Sequence, residues 1–175
     1  MKKGLLTLPG FVMLIACCLF AGCGYHLATQ GGASPLLSGK RIAIPIFANK
    51  SYRPNLESLL TEQVIREFAL RSGALVMSSN DADILLNGTV TAYTTVPVSY
   101  SSKDKITEYR ADITLEATLV ERGSRKVLWT GKISDRQEYP AEADISLQMN
   151  REVAATREIC RKLALKLYLT IGQDF

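Results

Sequence analysis

The stretch EYRADITLEATL, residues 108–119, alternates polar and apolar side chains without interruption. Such an alternation is typical of a β-strand that turns one face toward a core and the other toward water. The segments 84–96 and 127–134 alternate in the same way, and Arg122-Gly123-Ser124 gives a tight-turn signal before the second of them. We therefore predict an antiparallel sheet that is covered on one side only.

Shorter strands are predicted nearer the N-terminus. The run 41–47 is of β type, and Pro45 places it at a sheet edge or near a bend. Residues 74–77 predict one further brief strand. The apolar face of the long segment that follows is expected to consist of Ile84, Leu86, Val90, Ala92 and Val96.

Two segments have helical rather than strand periodicity. In the first, the apolar positions are Leu56, Leu59, Leu60, Val64 and Phe68. In the second, residues 144–172, the predicted sheet-facing stripe is Ile145, Met149, Val153, Thr156, Cys160, Leu163 and Leu167. Together the patterns predict an α+β fold in which two helices pack on one face of a mostly antiparallel four-stranded sheet.

The first 22 residues have the parts of an export signal. Lys2 and Lys3 form a basic start, and residues 5–20 supply an apolar run shorter than the ~20 residues that span a bilayer. Ala21-Gly22 then provides the small residues that a signal peptidase requires. The alternative is an uncleaved anchor helix.

Cys23 follows Ala-Gly directly, which resembles the lipobox of bacterial lipoproteins, where the chain is cut before a cysteine whose thiol is acylated. Cys17 is a competing match, although a cut there leaves a very short apolar run. Gly24, rather than Asp, after the cysteine favours sorting to the outer membrane. We therefore predict a signal peptide over 1–22, a lipidated N-terminus and flexible tether over 23–39, and a single domain over 40–175.

Composition and residue types exclude several functions. The formal net charge is only +4, and no basic stripe is evident, so nucleic-acid binding is not predicted. His26 is the only histidine, and no nucleophile–base pattern or metal-spaced cluster occurs, so neither an enzyme nor a metal site is predicted. Asp81 and Asp83 form a carboxylate pair that a solvated turn explains. No cofactor is expected beyond the covalent lipid on Cys23.

Two features are not explained by folding alone. Leu165, Tyr168 and Leu169 add apolar groups on a second side of the last helix, which is typical of deep burial or of contact with a partner. The loop 100–105 carries Lys103 and Lys105, which are either solvated or placed to contact anionic phosphates.

The motifs taken together resemble the LptE family of lipopolysaccharide-assembly lipoproteins. The resemblance rests on CGYHL after the signal, residues 23–27, and on the run 42–47 before a helix. It rests further on DILLNGTVTAY, residues 83–93, which is similar to the pattern AD-x-x-L-x-G-x-V-x-x-Y, and on Glu108-Tyr109-Arg110 and Leu128-Trp129. The resemblance covers essentially the whole mature chain.

This resemblance implies a fold of two helices against a four-stranded sheet and a non-enzymatic role at the outer membrane. Proteins of the family plug the LptD β-barrel, assist its assembly, and bind lipopolysaccharide during its insertion into the outer leaflet. A basic residue near the loop between the two long strands contacts the glycolipid, which points to Lys103 and Lys105. The apolar side formed by Leu165, Tyr168 and Leu169 would suit contact with the barrel.

Two other kinds of outer-membrane lipoprotein have a similar opening segment. The run IAIPIFANKS, residues 42–51, also resembles the opening of activator lipoproteins for peptidoglycan synthases and of curli-type secretion lipoproteins. Activators usually need a long tether, whereas residues 24–39 are short. A secretion ring needs strands that face lipid, and the charges at Glu108, Arg110 and Asp112 argue against this.

Overall fold

The computed structural model of the chain describes Leu37 and residues 39–71, 75–77 and 80–173. Its elements are β1 (Arg41–Ala43), β2 (Ala48–Asn49), α1 (Leu56–Arg71), β3 (Leu75–Val76), β4 (Ile84–Tyr100), β5 (Ile106–Glu121), β6 (Val127–Pro140) and α2 (Ile145–Gln173). Neither of these two helices combines the length and apolar character needed to cross a bilayer. The predicted signal, the lipidation site Cys23 and most of the predicted tether lie outside the described residues.

The strands form one mixed sheet with the order β3-β1-β4-β5-β6, and β2 also pairs with β4. Pairings among β4, β5 and β6 are antiparallel, whereas β1 and β2 run parallel to β4, and β3 runs parallel to β1. The α+β fold with two helices is confirmed. The predicted four-stranded, mostly antiparallel sheet is wrong, because the described residues form six strands in a mixed sheet.

The difference arises in the run 41–47, which was expected to form one strand. The segment around Pro45 has no strand conformation, so the run divides into β1 and β2. Ile42 pairs with Ile84, and Ala48 pairs with Thr89. The segment from Ile42 to Ala48 is therefore one residue longer than the segment of β4 that lies beside it. Proline lacks the N–H that a continuous ladder needs, which accounts for the interruption.

A bulge in β4 changes which side chains face the core. Val90 pairs with Leu115, but Ala92 pairs with Thr114, so one extra residue is accommodated in β4 between these pairs. As a result Tyr93 is 2% exposed, whereas Val96 is 38% exposed. The prediction that Ala92 and Val96 share the apolar face is therefore wrong, because a bulge reverses the alternation beyond it.

The core lies between one face of the sheet and the two helices. Buried positions on α2 are Ala155, Thr156, Ile159, Cys160, Leu163, Ala164, Leu167, Tyr168 and Ile171. The predicted stripe is wrong at its start, because Ile145 and Met149 are 78% and 62% exposed. Periodicity identifies the apolar face of a helix, but it does not show how far the neighbouring elements extend along it.

Candidate functional site

The loop between β4 and β5 is held in a defined conformation by its own hydrogen bonds. The Ser101 N–H donates to the Lys105 carbonyl at 2.8 Å, and the Asp104 N–H donates to the Ser101 carbonyl at 3.1 Å. The Ser101 hydroxyl accepts from the N–H groups of Lys103 and Lys105 at 3.3 and 3.2 Å. Asp104 has a φ of 56°, in the left-handed region that aspartate tolerates.

Lys103 and Lys105 are exposed on this loop, and neither forms an ion pair with another residue of the described segments. The 17 residues of β4 extend over roughly 55 Å at about 3.3 Å per residue. Because β1 pairs with the start of β4, Arg41 and the lysine loop lie at opposite ends of this strand. The structure thus presents two free ammonium groups at one end of the sheet.

The other end is fixed by an ion pair between Arg41 and Asp83. The Arg41 backbone N–H donates to Asp83 Oδ2 at 2.9 Å, and its guanidinium reaches Oδ1 at 2.7 Å. These hydrogen bonds lower the pKa of Asp83 from 3.8 to about 2. Both carboxylate oxygens of Asp83 are therefore engaged in holding β1 beside β4.

The three apolar residues predicted on the second side of α2 separate in the structure. Tyr168 is 6% exposed; its hydroxyl donates to the Arg71 carbonyl at 2.9 Å, and its ring packs edge-on against Phe68 at 5.5 Å. Leu165 is half-buried and Leu169 is 45% exposed. Tyr168 thus joins the two helices, while the leucines remain at the surface.

Leu165 and Leu169 line a groove of about 460 Å³ between α2 and the outer strand β6. Arg161, Lys162 and Lys166 also line this groove. Asp135 is the one acidic residue among the described residues of the lining. The groove therefore combines hydrophobic surface with an excess of positive charge, which suits contact with another molecule.

A polar cluster that the sequence patterns did not indicate holds the first half of α2 against β4. The Tyr93 hydroxyl donates to Glu152 Oε1 at 2.7 Å and lies 3.3 Å from the Thr156 hydroxyl. Arg53 donates to the same Glu152 oxygen at 3.0 Å and lies over the Tyr93 ring, 5.6 Å from its centroid. Burial raises the pKa of Tyr93, so this hydroxyl remains protonated as a donor.

This cluster escaped prediction because its members are far apart in the sequence. The bulge puts Tyr93 on the inner face, and Arg53 belongs to an irregular segment before α1. In the sequence, only the tyrosine within the alternating segment, Tyr93, could have indicated this cluster. Beside the cluster, Leu56, Leu59, Met149 and Val153 line a second groove of about 500 Å³.

The one cysteine that the structure describes and the acidic side chains do not form a reactive cluster within the described residues. Cys160 is fully buried on α2, and burial raises the pKa of its thiol to about 12. Within the part of the chain that the structure describes, no group of three or more histidine, cysteine or acidic side chains is placed to hold a metal ion.

A family model matches most of the chain. The LptE model, described as Lipopolysaccharide-assembly, matches residues 39–171. That range contains all six strands, the whole of α1, and α2 except for its last two residues. Among curated proteins, none matches this chain.

Solved structures of three bacterial proteins have a similar fold. An uncharacterized lipoprotein B from Nitrosomonas europaea is 12% identical, covers 76% of this chain and 82% of its own, and has a TM-score of 0.55. Protein XCC0632 from Xanthomonas campestris is 14% identical, with 80% and 91% covered and a TM-score of 0.55. A minor lipoprotein from Acinetobacter baumannii is 19% identical, with 79% and 94% covered and a TM-score of 0.51. At these identities the likeness concerns the fold alone.

Proposed function

The chain belongs to the LptE family of lipopolysaccharide-assembly proteins, and from this membership we propose that it is a non-enzymatic outer-membrane lipoprotein that plugs an LptD-like β-barrel and assists its assembly. In this role it binds lipopolysaccharide as the glycolipid is inserted into the outer leaflet. The observation that carries the proposal is the extent of the family match, since residues 39–171 include the complete sheet, α1, and α2 except for its last two residues.

The proposed anchor is the lipidated Cys23, exposed by removal of residues 1–22. Residues 23–39 would serve as the lipidated N-terminus and tether, and the sixteen residues after Cys23 reach roughly 22 Å as a flexible coil. A tether of that length keeps the domain that follows, residues 40–175, close to the membrane surface. Several acyl chains on one cysteine would make the attachment stable.

The length of β4 supports contact between the lysine loop and lipopolysaccharide. The chain enters the domain near Arg41, roughly 55 Å along β4 from the loop. That length exceeds the ~30 Å hydrocarbon core of a bilayer. With Arg41 toward the anchor, Lys103 and Lys105 would lie near the outer leaflet, where ammonium groups can bind the phosphates of the glycolipid.

Charge reversal in this loop tests the proposed glycolipid contact. The variant Lys103→Glu/Lys105→Glu should bind lipopolysaccharide at least ~10-fold more weakly than wild type, because two attractive charges become repulsive. Both residues are exposed, so the free energy of unfolding should change little. Binding is measured by the retention of purified lipopolysaccharide on the immobilised full-length protein.

Arg125→Glu/Lys126→Glu provides the matched control. These residues are also exposed at a hairpin turn, but they lie between β5 and β6, and the variant changes the net charge by the same amount. The control should retain wild-type binding. Equal losses in both variants would indicate a general effect of charge, and unchanged binding in the Lys103/Lys105 variant would remove the loop from the binding site.

A further inference from the structure

The outer strand β6 is the longest regular edge of the sheet. It has 14 residues and stands at the end of the strand order. The opposite edge is the two-residue strand β3. The part of β4 beyond Val90 is unpaired on its β2 side among the described residues, and it contains Pro97 and three register shifts. Short strands, prolines and bulges all hinder edge-to-edge pairing, so β6 is the edge most in need of protection.

The register shows which backbone groups of β6 face outward. The Ala141 N–H donates to the Thr107 carbonyl at 2.9 Å, and the pairing continues from Glu108 with Pro140 in the same register. In an antiparallel ladder, residues two apart share the same role. The backbone N–H and C=O groups of the odd-numbered residues in this part of β6 therefore hydrogen-bond to β5. Those of Ser134, Arg136 and Glu138 point outward at the open edge.

All three of these outward carbonyls accept a hydrogen bond from a side chain. Lys166 Nζ donates to the Ser134 carbonyl at 2.8 Å, and Lys162 Nζ lies 3.4 Å from the Arg136 carbonyl. Gln137 Nε2 donates to the Glu138 carbonyl at 3.0 Å. Lys162 Nζ also donates to Gln137 Oε1 at 2.7 Å, which links two of the contacts. The next outward position is Pro140, which has no N–H to offer.

The edge would otherwise be suited to pairing with itself. In an antiparallel arrangement of two β6 strands about Ile133, Lys132 lies opposite Ser134, and Thr130 lies opposite Arg136. No like charges oppose each other in that register, and the two copies are related by a two-fold axis, the commonest symmetry of dimers. The arrangement requires the Ser134 and Arg136 carbonyls, which are the two that the α2 lysines contact.

We propose that Lys162 and Lys166 close the β6 edge to backbone pairing with a second copy of this chain. A second strand would have to displace both ammonium groups from their carbonyls. It would also bury their charge beside the new strand, which is costly without a partner. This inference concerns backbone pairing of β6 with a second copy and does not require the barrel partner proposed above, although both lysines also line the groove with Leu165 and Leu169.

Replacement of both lysines by methionine tests this inference, because methionine keeps most of the apolar stem and removes the donor. The full-length chain is purified in mild detergent, and its protein mass is measured by light scattering during size-exclusion chromatography. Wild type should be monomeric, and Lys162→Met/Lys166→Met should shift to twice the protein mass. Addition of Lys132→Pro should restore the monomer, since it removes an outward N–H that the second strand needs.

Two controls make the result specific to the edge. Arg157→Met removes an exposed cation from α2 that has no hydrogen bond or ion pair within the described residues, and it should remain monomeric. Lys162→Arg/Lys166→Arg keeps the donors and should also remain monomeric. The proposal is overturned if the double methionine variant keeps the wild-type mass, if Lys132→Pro does not reverse its dimerisation or precipitation, or if Arg157→Met dimerises equally.

Discussion

Phe47 and Gly88 show how a single close contact fixes the irregular segment between β1 and β2. The Phe47 ring is 3% exposed and lies directly on Gly88, where an added Cβ would come within 2.6 Å of a ring carbon. The Phe47 N–H donates to the Thr61 hydroxyl at 3.0 Å, which ties the same residue to α1. Gly88 is therefore required by packing at the point where the two short strands meet β4.

Gly88→Ala should lower the free energy of unfolding by about 1–3 kcal/mol, because the ring must move out of a packed core. Gly123→Ala is the matched control, since nothing lies within 4 Å of an added Cβ there, and its effect should stay within about 0.5 kcal/mol. Urea unfolding followed by fluorescence of Trp129, the only tryptophan, measures both. A change at Gly88 as small as that at Gly123 would contradict the packing.

Cysteine reactivity tests both the burial of Cys160 and the proposed processing at Cys23. The sequence has four cysteines, at 17, 18, 23 and 160. Removal of the signal and acylation of Cys23 would leave Cys160 as the only free thiol, and burial raises its pKa to about 12. After reduction, the purified chain should give no reactive thiol when folded and one in denaturant.

The same thiol count distinguishes the alternatives. Two thiols in denaturant would mean that the signal is removed but Cys23 is not acylated. Three would mean that Cys17 or Cys23 is acylated and the other three cysteines remain, and four would mean that the signal is retained and no cysteine is acylated. Rapid reaction in the folded protein would contradict the burial of Cys160, because a buried protonated thiol is a poor nucleophile.

At the scale of elements, α2 is held to β4 by a polar cluster in its first half, whereas its second half combines apolar packing with the lysine contacts to β6. The Tyr93, Glu152 and Arg53 cluster lies two turns after Ile145, where the helix still exposes Met149. Because the cluster joins β4, α2 and the segment before α1, its loss should loosen the start of α2 in particular.

Tyr93→Phe removes the donor to Glu152 while keeping the ring, and it should cost about 1–2 kcal/mol of unfolding free energy, since the lost hydrogen bond ends on a charged group. Tyr100→Phe is the control, because Tyr100 is 57% exposed and should change stability by less than about 0.5 kcal/mol. Urea unfolding measures both variants. If the two variants are equally stable, the hydroxyl of Tyr93 contributes nothing to the attachment of α2.

The elements that the sequence predicted are those whose pattern is local. The alternation through 108–119 predicts β5, and the helical spacing predicts both helices. The bulge near Thr91 could not be predicted, because the extra residue is defined only by the pairing of β4 with β5. The exposure of Ile145 and Met149 could not be predicted either, since it depends on where the elements around α2 end.

At the scale of the whole molecule, the structure presents two candidate surfaces, the lysine loop and the groove beside α2. The lysine loop was predicted from its sequence and lies at the free end of the β4–β5 hairpin. The groove with Leu165 and Leu169 was predicted only in part, because the spacing that selected Tyr168 does not distinguish contact with α1 from contact with a partner. Residue types indicated candidate contacts, but only the packing of the two helices decides which remain exposed.

The most direct test of the account is gentle purification of the tagged full-length lipoprotein from outer membranes, followed by mass spectrometry of the co-purified proteins. The account predicts one large β-barrel protein in a one-to-one complex with this chain. We propose the groove with Leu165 and Leu169 as the surface that contacts this barrel, so Leu169→Asp should reduce its recovery at least ~10-fold by placing a charge there. Leu70→Asp, on a residue of α1 that is 75% exposed, should not. Recovery of a self-associated ring or of a peptidoglycan synthase in place of the barrel would contradict the account.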